Sequence, residues 1–499
     1  MTRFATCLLA LLVLSPLSAQ EATPDRAAVD LDRFLQELDA LRQTARIPGL
    51  SVALVKDQEL ILARGLGLAD LEQRIPATAE TAYNIASVTK PLSAVVALRL
   101  AEDGVLDLDR PIATYSGWAE FCRDFSQAPS IFARDLRCDP APHTLRHLLS
   151  HTAAGRPGER FSYNPVLFSW ASRPIAAAAG TPFSALVERH VFQPAAMTRS
   201  ARIHRELPLP AHLAEALAPP HRVDSGGALV RAPDPPPQGD GAAGGVVSSV
   251  VDLAKFDVAL DSGRLLSPAS RAAMMTPTQS AAGTALPYGI GWYVQEYRGY
   301  TLLWHSGWWE EAYSALYLKV PAQSLTMILL ANSEGLWWDN PLEKAEVENS
   351  PFAQLFLRTF VDAATVGEPL APTIEGFTAL LEALASAWNE GDAARAADCF
   401  TPDAVYLEPP AKQLYRGRQA LFEFFGGNEG RPGQMSMRWH HLAFSPETQV
   451  GFGEFSFTYG TTAHGVAVVR LRDGKIANWR EYWYESELPW AEFVRENPF

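Results

Sequence analysis

The sequence predicts an α/β (α+β) protein built as two domains: an antiparallel sheet flanked by helices with a helical subdomain, followed by a second α+β domain. Three observations carry this reading. Apolar strand-like runs open and close the first 350 residues, and an almost uninterrupted apolar helix lies between them. After a Pro- and Gly-containing stretch at 367–373 the pattern restarts, helices first and strands after. With 499 residues, 47% of them hydrophobic, the chain has material for more than one core.

Residues 1–20 combine Arg3, an apolar run at 8–14 and the small-residue end Ser18-Ala19-Gln20, the pattern of a secretory signal peptide too short to span a bilayer. The expectation is a secreted or periplasmic protein with a first domain at 21–366, a linker at 367–373 and a second domain at 374–499. Residues 31–41 read as an amphipathic helix, and 49–55 with 60–65 as a hairpin around the polar turn Lys56-Asp57-Gln58-Glu59. Further helices are expected at 145–149 and 251–260, and strands at 302–307, 312–318 and 325–330. The proline-rich segment 207–240 reads as a surface excursion without regular structure that edges a cleft. Of four cysteines, Cys7 leaves with the signal, Cys122 and Cys138 bracket one local segment and are expected to pair after export, and Cys399 reads as a buried free thiol. A net charge of −14 argues against nucleic acid and anionic membrane as partners.

The central stretch is Ser87-Val88-Thr89-Lys90-Pro91 with the apolar run 92–100 behind it. Pro91 is tolerated only in a first turn, so the helix begins at or near Ser87. Three residues of helical spacing put the Ser87 hydroxyl and Lys90 amine on one face. Serine is a weak nucleophile at neutral pH, and a lysine that has lost its proton is the base that activates it. Burial and the positive end of a helix dipole both disfavour the ammonium form.

Five motifs fall in one order: Ser87-Val88-Thr89-Lys90, Leu145-Arg146-His147-Leu148-Leu149-Ser150-His151-Thr152, Arg160-Phe161-Ser162-Tyr163, Gly244-Gly245-Val246-Val247-Ser248-Ser249 and His305-Ser306-Gly307. Together they resemble the β-lactamase-related serine hydrolases over roughly residues 30–350, a family that includes class C β-lactamases, D-alanyl-D-alanine carboxypeptidases, esterases and amidases. The resemblance implies a β-lactamase-like fold in which Ser87 attacks a carbonyl, Lys90 takes its proton and Tyr163 relays a proton to the leaving group. It further implies an oxyanion held by the amides of Ser87 and Trp308, the residue just past Gly307. His305 stands where many β-lactamases have lysine, so it offers a substrate a hydrogen bond without a fixed charge. Asn164 follows Tyr163 one position earlier than the family's asparagine does, and the segment 152–160 is short, which puts substrate-amide recognition in doubt. Trp308, Trp309, Trp337 and Trp338 are candidates to line an apolar cleft. His147 and His151 mimic a metal pair without a third ligand, so structural roles are expected and neither metal nor cofactor is assigned.

The expected function is an exported serine hydrolase acting on an ester or amide in a small molecule or peptide. The alternatives are a D-alanyl-D-alanine peptidase or weak β-lactamase, and a catalytically weak binding protein that uses the C-terminal domain for dimerisation or ligand capture. The second domain resembles the polyketide-cyclase-like members of the nuclear transport factor two superfamily, which implies a cone whose sheet wraps a pocket and a homodimer through this domain. Tyr406, Glu408, His464, Glu481 and Trp483 are candidates to face that pocket, with ordinary core or dimer contacts as the competing reading.

Overall fold

Strand β1 (Gly49–Lys56) is apolar at nearly every position, and both of its faces are covered. Ala53 and Val55 face one apolar core, whereas Leu50, Val52 and Leu54 face another, as the two-residue period of a strand requires. In the computed structural model of the protein this strand sits inside a seven-stranded sheet. The structure describes residues 26–496 apart from 116, 139–142, 339–341, 343, 362–372, 409–412, 432, 447 and 473. The expected signal peptide, and all of the expected linker but Thr373, therefore lie outside the described residues.

The chain divides into two units, Met1–Asp362 and Ala363–Phe499. In the first, α1 (Arg26–Thr44) leads into β1, β2 (Glu59–Asp70) and the short β3 (Ile75–Pro76). Helix α2 (Thr89–Glu102) follows, then α3 (Leu145–Leu149), α4 (Pro165–Trp170) and α5 (Val250–Asp261). The unit closes with β4 (Tyr293–Tyr297), β5 (Tyr300–Trp309), β6 (Tyr313–Val320), β7 (Leu325–Ala331) and α6 (Pro351–Phe356). The sheet order is β3-β2-β1-β7-β6-β5-β4, so the early hairpin and the late strands join through the antiparallel β1/β7 pair. Helices α2 and α5 cover one face, and α1 and α6 the other. All residues from 89 to 98 are buried, as expected of a helix that is apolar all round.

The expected strands and helices of this unit are present. The reading of 207–240 is corrected: it holds a helical turn (Ala211–Ala214) and a two-stranded hairpin, His221–Val223 with Leu229–Arg231. Its turn, Asp224-Ser225-Gly226-Gly227, is stabilised by the Asp224 carboxylate accepting from Gly226 N at 2.9 Å and Ala228 N at 2.8 Å. Cys122 and Cys138 form a disulfide, and Cys399 is free and buried.

The second unit begins with α7 (Ile374–Glu390) and α8 (Ala393–Asp398), followed by β8 (Phe400–Glu408), β9 (Gln413–Arg416) and α9 (Arg418–Phe424). Strands β10 (Ser436–Ser445), β11 (Val450–Tyr459), β12 (Thr461–Arg472) and β13 (Lys475–Glu485) complete a six-stranded sheet ordered β9-β8-β13-β12-β11-β10. β8 and β13 run parallel, and the other neighbours run antiparallel. Strand β9, which the sequence pattern did not mark, is a short half-exposed edge.

Candidate active site

Ser87 lies in a 3₁₀ turn, Ala86–Val88, that runs directly into α2. Ala86, just before it, is held at a φ of 46°, in the left-handed region that costs a non-glycine residue roughly 1–2 kcal/mol. The Ala86 amide donates to Asn84 Oδ1 at 3.0 Å, which helps fix this bend. The strand Val246–Ser248 pairs with Tyr83–Asn84, and Val246 O accepts from Ile85 N at 3.1 Å. The Gly244-Gly245 motif thus anchors the turn that carries Ser87.

Lys90 Nζ stands 2.8 Å from Ser87 Oγ and 3.3 Å from the Ala243 carbonyl oxygen, to which it donates. Lys90 is completely buried, while Ser87 keeps partial access to solvent. Burial drives the Lys90 pKa well below the ordinary lysine value, and among the described residues no carboxylate pairs with it. The amine is therefore poised to be neutral. Its Nζ lies 5.0 Å from the centre of the Tyr163 ring. Burial raises the Tyr163 phenol above the usual tyrosine range, against a smaller opposing effect from its hydrogen bond with Ser87. Tyr163 therefore stands at the site as a phenol.

Strand β5 brings the third element. Its pairing with β4 ends at Trp304, leaving residues 305–309 without a strand on that side. A Cβ on Gly307 would lie 2.3 Å from the Ile85 carbonyl oxygen, so glycine is what lets β5 approach the turn bearing Ser87. Gly291, at a φ of 81°, plays a similar part for α2, where a Cβ would meet the Lys90 carbonyl oxygen at 2.9 Å.

Several expected contacts differ. His305 is fully buried, with Nδ1 2.7 Å from the Ser306 carbonyl oxygen and Nε2 3.0 Å from the Tyr288 hydroxyl. The carbonyl can only accept, which assigns the proton to Nδ1 and leaves Nε2 to accept from Tyr288. Burial, then the nearby Lys90, holds its pKa well below the usual histidine value. Both ring nitrogens are engaged, so His305 braces β5 rather than reaching a substrate. Asn164 is also redirected: it caps α4, Oδ1 accepting from Leu167 N at 3.0 Å, while Nδ2 donates to the Phe132 carbonyl at 2.6 Å. Its amide is occupied at both ends because Pro165 at the first helical position makes Asn164 the cap.

His147 and His151 have the structural roles expected. His147 Nδ1 accepts from Thr144 N at 3.1 Å in a capping box, and His151 Nδ1 accepts from Asn164 N at 3.0 Å. Trp309 packs on the core shared with α2, on the Gly307 side. The side chain of Trp308, one residue on, points to the opposite face. There it stacks on Trp337 at 5.3 Å in a groove with Trp338, Leu41 and Phe352. The tryptophans therefore split between two faces. Sequence reasoning missed Tyr288 and Tyr293, which surround His151, Tyr163 and His305. The available signal was Tyr288-Gly289-Ile290-Gly291-Trp292, two glycines between aromatics ahead of a strand.

In the second unit, Tyr406, Glu408, Glu481 and Trp483 line a cavity as expected. His464 does not. Thr461 and Ala463 line it, so the next residue in β12 points to the opposite face of the sheet, where buried His464 donates from Nε2 to the Leu488 carbonyl at 2.8 Å and accepts at Nδ1 from the Ser456 hydroxyl at 2.8 Å.

Comparison with known proteins agrees with this architecture. The family model described as Beta-lactamase matches residues 31–347, and one described as a SnoaL-like domain matches 381–479. A putative penicillin-binding protein, PbpX of Bacillus subtilis, is 26% identical over 269 residues, covering 48% of this chain and 61% of that protein. The mitochondrial serine beta-lactamase-like protein LACTB of Mus musculus is 31% identical over 152 residues, 30% of this chain and 25% of its own length. Esterase EstB of Burkholderia gladioli is 29% identical over 141 residues, 28% of this chain and 33% of the esterase. Each match thus spans less than two thirds of the relative's length. Among solved structures, an octameric penicillin-binding protein homologue from Pyrococcus abyssi shares the fold at a TM-score of 0.53 and 18% identity, covering 92% of this chain and 97% of that one. A D-amino acid amidase from Ochrobactrum anthropi SV3 does so at 0.52 and 20%, covering 67% and 99%. With its sheet, its Ser87–Lys90–Tyr163 cluster and a family match over most of its length, the chain belongs to the β-lactamase family and carries a SnoaL-like domain after it.

Proposed function

We propose that the protein is an exported serine hydrolase that cleaves an ester or amide through an acyl-enzyme on Ser87. The observation that carries this reading is a buried amine, without an acidic partner among the described residues, 2.8 Å from a partly accessible serine hydroxyl. Neutral Lys90 takes the Ser87 proton as Oγ bonds to the substrate carbonyl carbon. The proton then passes through the Tyr163 phenol to the leaving oxygen or nitrogen as its bond to carbon breaks. Water attacks the acyl-enzyme by the same route in reverse, returning the proton to Ser87. The amides of Ser87 and Trp308 hold the oxyanion, a role supported by the close approach that Gly307 permits between β5 and the Ile85-to-Ser87 turn.

His305 favours esters and amides that carry no carboxylate at the position facing β5, because it is neutral and has no free nitrogen. This ranks short acyl esters ahead of D-alanyl peptides and β-lactams. Export is supported by the Cys122–Cys138 disulfide, a bond that persists in oxidising compartments. The test compares short acyl esters, a D-alanyl peptide and nitrocefin on the full chain and on Ser87→Ala. Ester turnover that falls at least about 10³-fold in the variant supports the reading. Equal ester turnover by both proteins overturns it, and folded protein without acylation of Ser87 favours a binding role.

A further inference from the structure

We propose that the cavity of the second unit is a binding site for a small apolar amine, held as a cation by Glu408 and Glu481 between aromatic walls. Strands β8 and β13 are parallel neighbours, with Tyr406 opposite Trp479. The two-residue period puts Tyr406 and Glu408 on the same face of β8, and Glu481, Trp483 and Glu485 on the same face of β13. They line a cavity of about 200 Å³ whose other walls include Trp388, Phe455 and Phe457.

The two inner carboxyl groups differ in their partners. Glu481, 7% exposed, already accepts one hydrogen bond at each oxygen, Oε1 from the Tyr406 hydroxyl at 2.6 Å and Oε2 from Trp479 Nε1 at 3.1 Å, which leaves each a further lone pair. Glu408 is only 4% exposed and has neither a hydrogen bond nor an ion pair among the described residues. Arg431, the one basic residue of the lining among the described residues, donates instead to the Phe424 carbonyl and stacks over the Phe424 ring at 4.5 Å. The Glu408 carboxyl group, on the wall of the cavity, is open to a donor, and an ammonium brought in by a ligand would supply one. Aromatic faces around the same space favour a cation and its apolar body. Burial, against smaller opposing effects from the Tyr406 and Trp479 hydrogen bonds, raises the Glu481 pKa to about 7, so Glu481 is part-protonated near neutrality and can shed that proton on cation binding. An anionic ligand meets the opposite field.

Titration calorimetry on the full chain at pH 7.5 with 2-phenylethylamine, 2-phenylethanol and phenylacetate provides the test. The amine is expected to bind at least about tenfold more tightly than the alcohol, with no binding of phenylacetate. Glu408→Gln, nearly the same shape, is expected to lose that preference while the alcohol's affinity and ester hydrolysis stay unchanged. Ser87→Ala is expected to bind the amine like the parent, which separates this site from the hydrolase centre. Absence of amine binding at millimolar concentration, equal affinity for amine and alcohol, or a preference that survives Glu408→Gln in folded protein overturns the proposal.

Discussion

At the scale of single residues, the site depends on what is missing as much as on what is present. Among the described residues Lys90 has no carboxylate beside it, and that lets burial set its charge. Gly307 has no side chain, and the Ile85 carbonyl oxygen occupies the space one would need. Gly307→Ala would force β5 away from the turn bearing Ser87, costing about 1–3 kcal/mol as an overpacking change. A fall in the thermal midpoint accompanied by a drop in kcat for ester hydrolysis is expected, and an unchanged kcat would show that the approach of the two segments is unimportant. The pair Ser87 and Lys90 was legible in sequence because both residues belong to one helical turn. The behaviour of His305 was not, since its ring is fixed by Tyr288 from a distant segment and by the carbonyl of its own neighbour.

At the scale of elements, local patterns named most helices and strands, and the misses have identifiable causes. The hairpin at 221–231 lay hidden among prolines, although Asp224-Ser225-Gly226-Gly227 is a turn signal. The outward direction of His464 required knowing the register of β12, because one residue of slip exchanges the two faces of a strand. Asn164-Pro165 is a readable helix start, an N-cap followed by proline at the first helical position, and that local role takes precedence over substrate binding. Asn164→Ala is expected to lower stability by about 1 kcal/mol as a lost cap. Asn164→Ser, which keeps a capping oxygen, should recover most of that loss in denaturant unfolding. A large change in KM for esters with no change in stability would return Asn164 to substrate binding. Strand β6 is tied to α5 in another way: buried Lys319 pairs with Asp257 and sits 3.0 Å from Asp261 Oδ2, with Tyr317 donating to Asp257 at 2.6 Å. Lys319→Met leaves Asp257 buried without its cation and is expected to cost about 3–5 kcal/mol, measured by urea unfolding. A loss under 1 kcal/mol would mean that Asp257 finds another partner.

At the scale of the whole molecule, two units each have apolar core of their own, and Ser87, Lys90 and Tyr163 all belong to the first. A chain truncated after Asp362 is expected to keep its rate of Ser87 acylation within about twofold. A much larger loss would mean that the SnoaL-like unit contributes to turnover. Activation of Ser87 turns on the charge of the buried Lys90 amine, and the pH dependence of Ser87 labelling by a fluorophosphonate ester reads that charge most directly. Labelling should rise with pH through a single titration whose midpoint lies well below the 10.5 of an ordinary lysine, and Lys90→Met, which keeps the side chain's bulk, should abolish the rise. A midpoint at the ordinary lysine value, or a Lys90→Met protein labelled at the parental rate across the range, would show that Lys90 is not the base that activates Ser87.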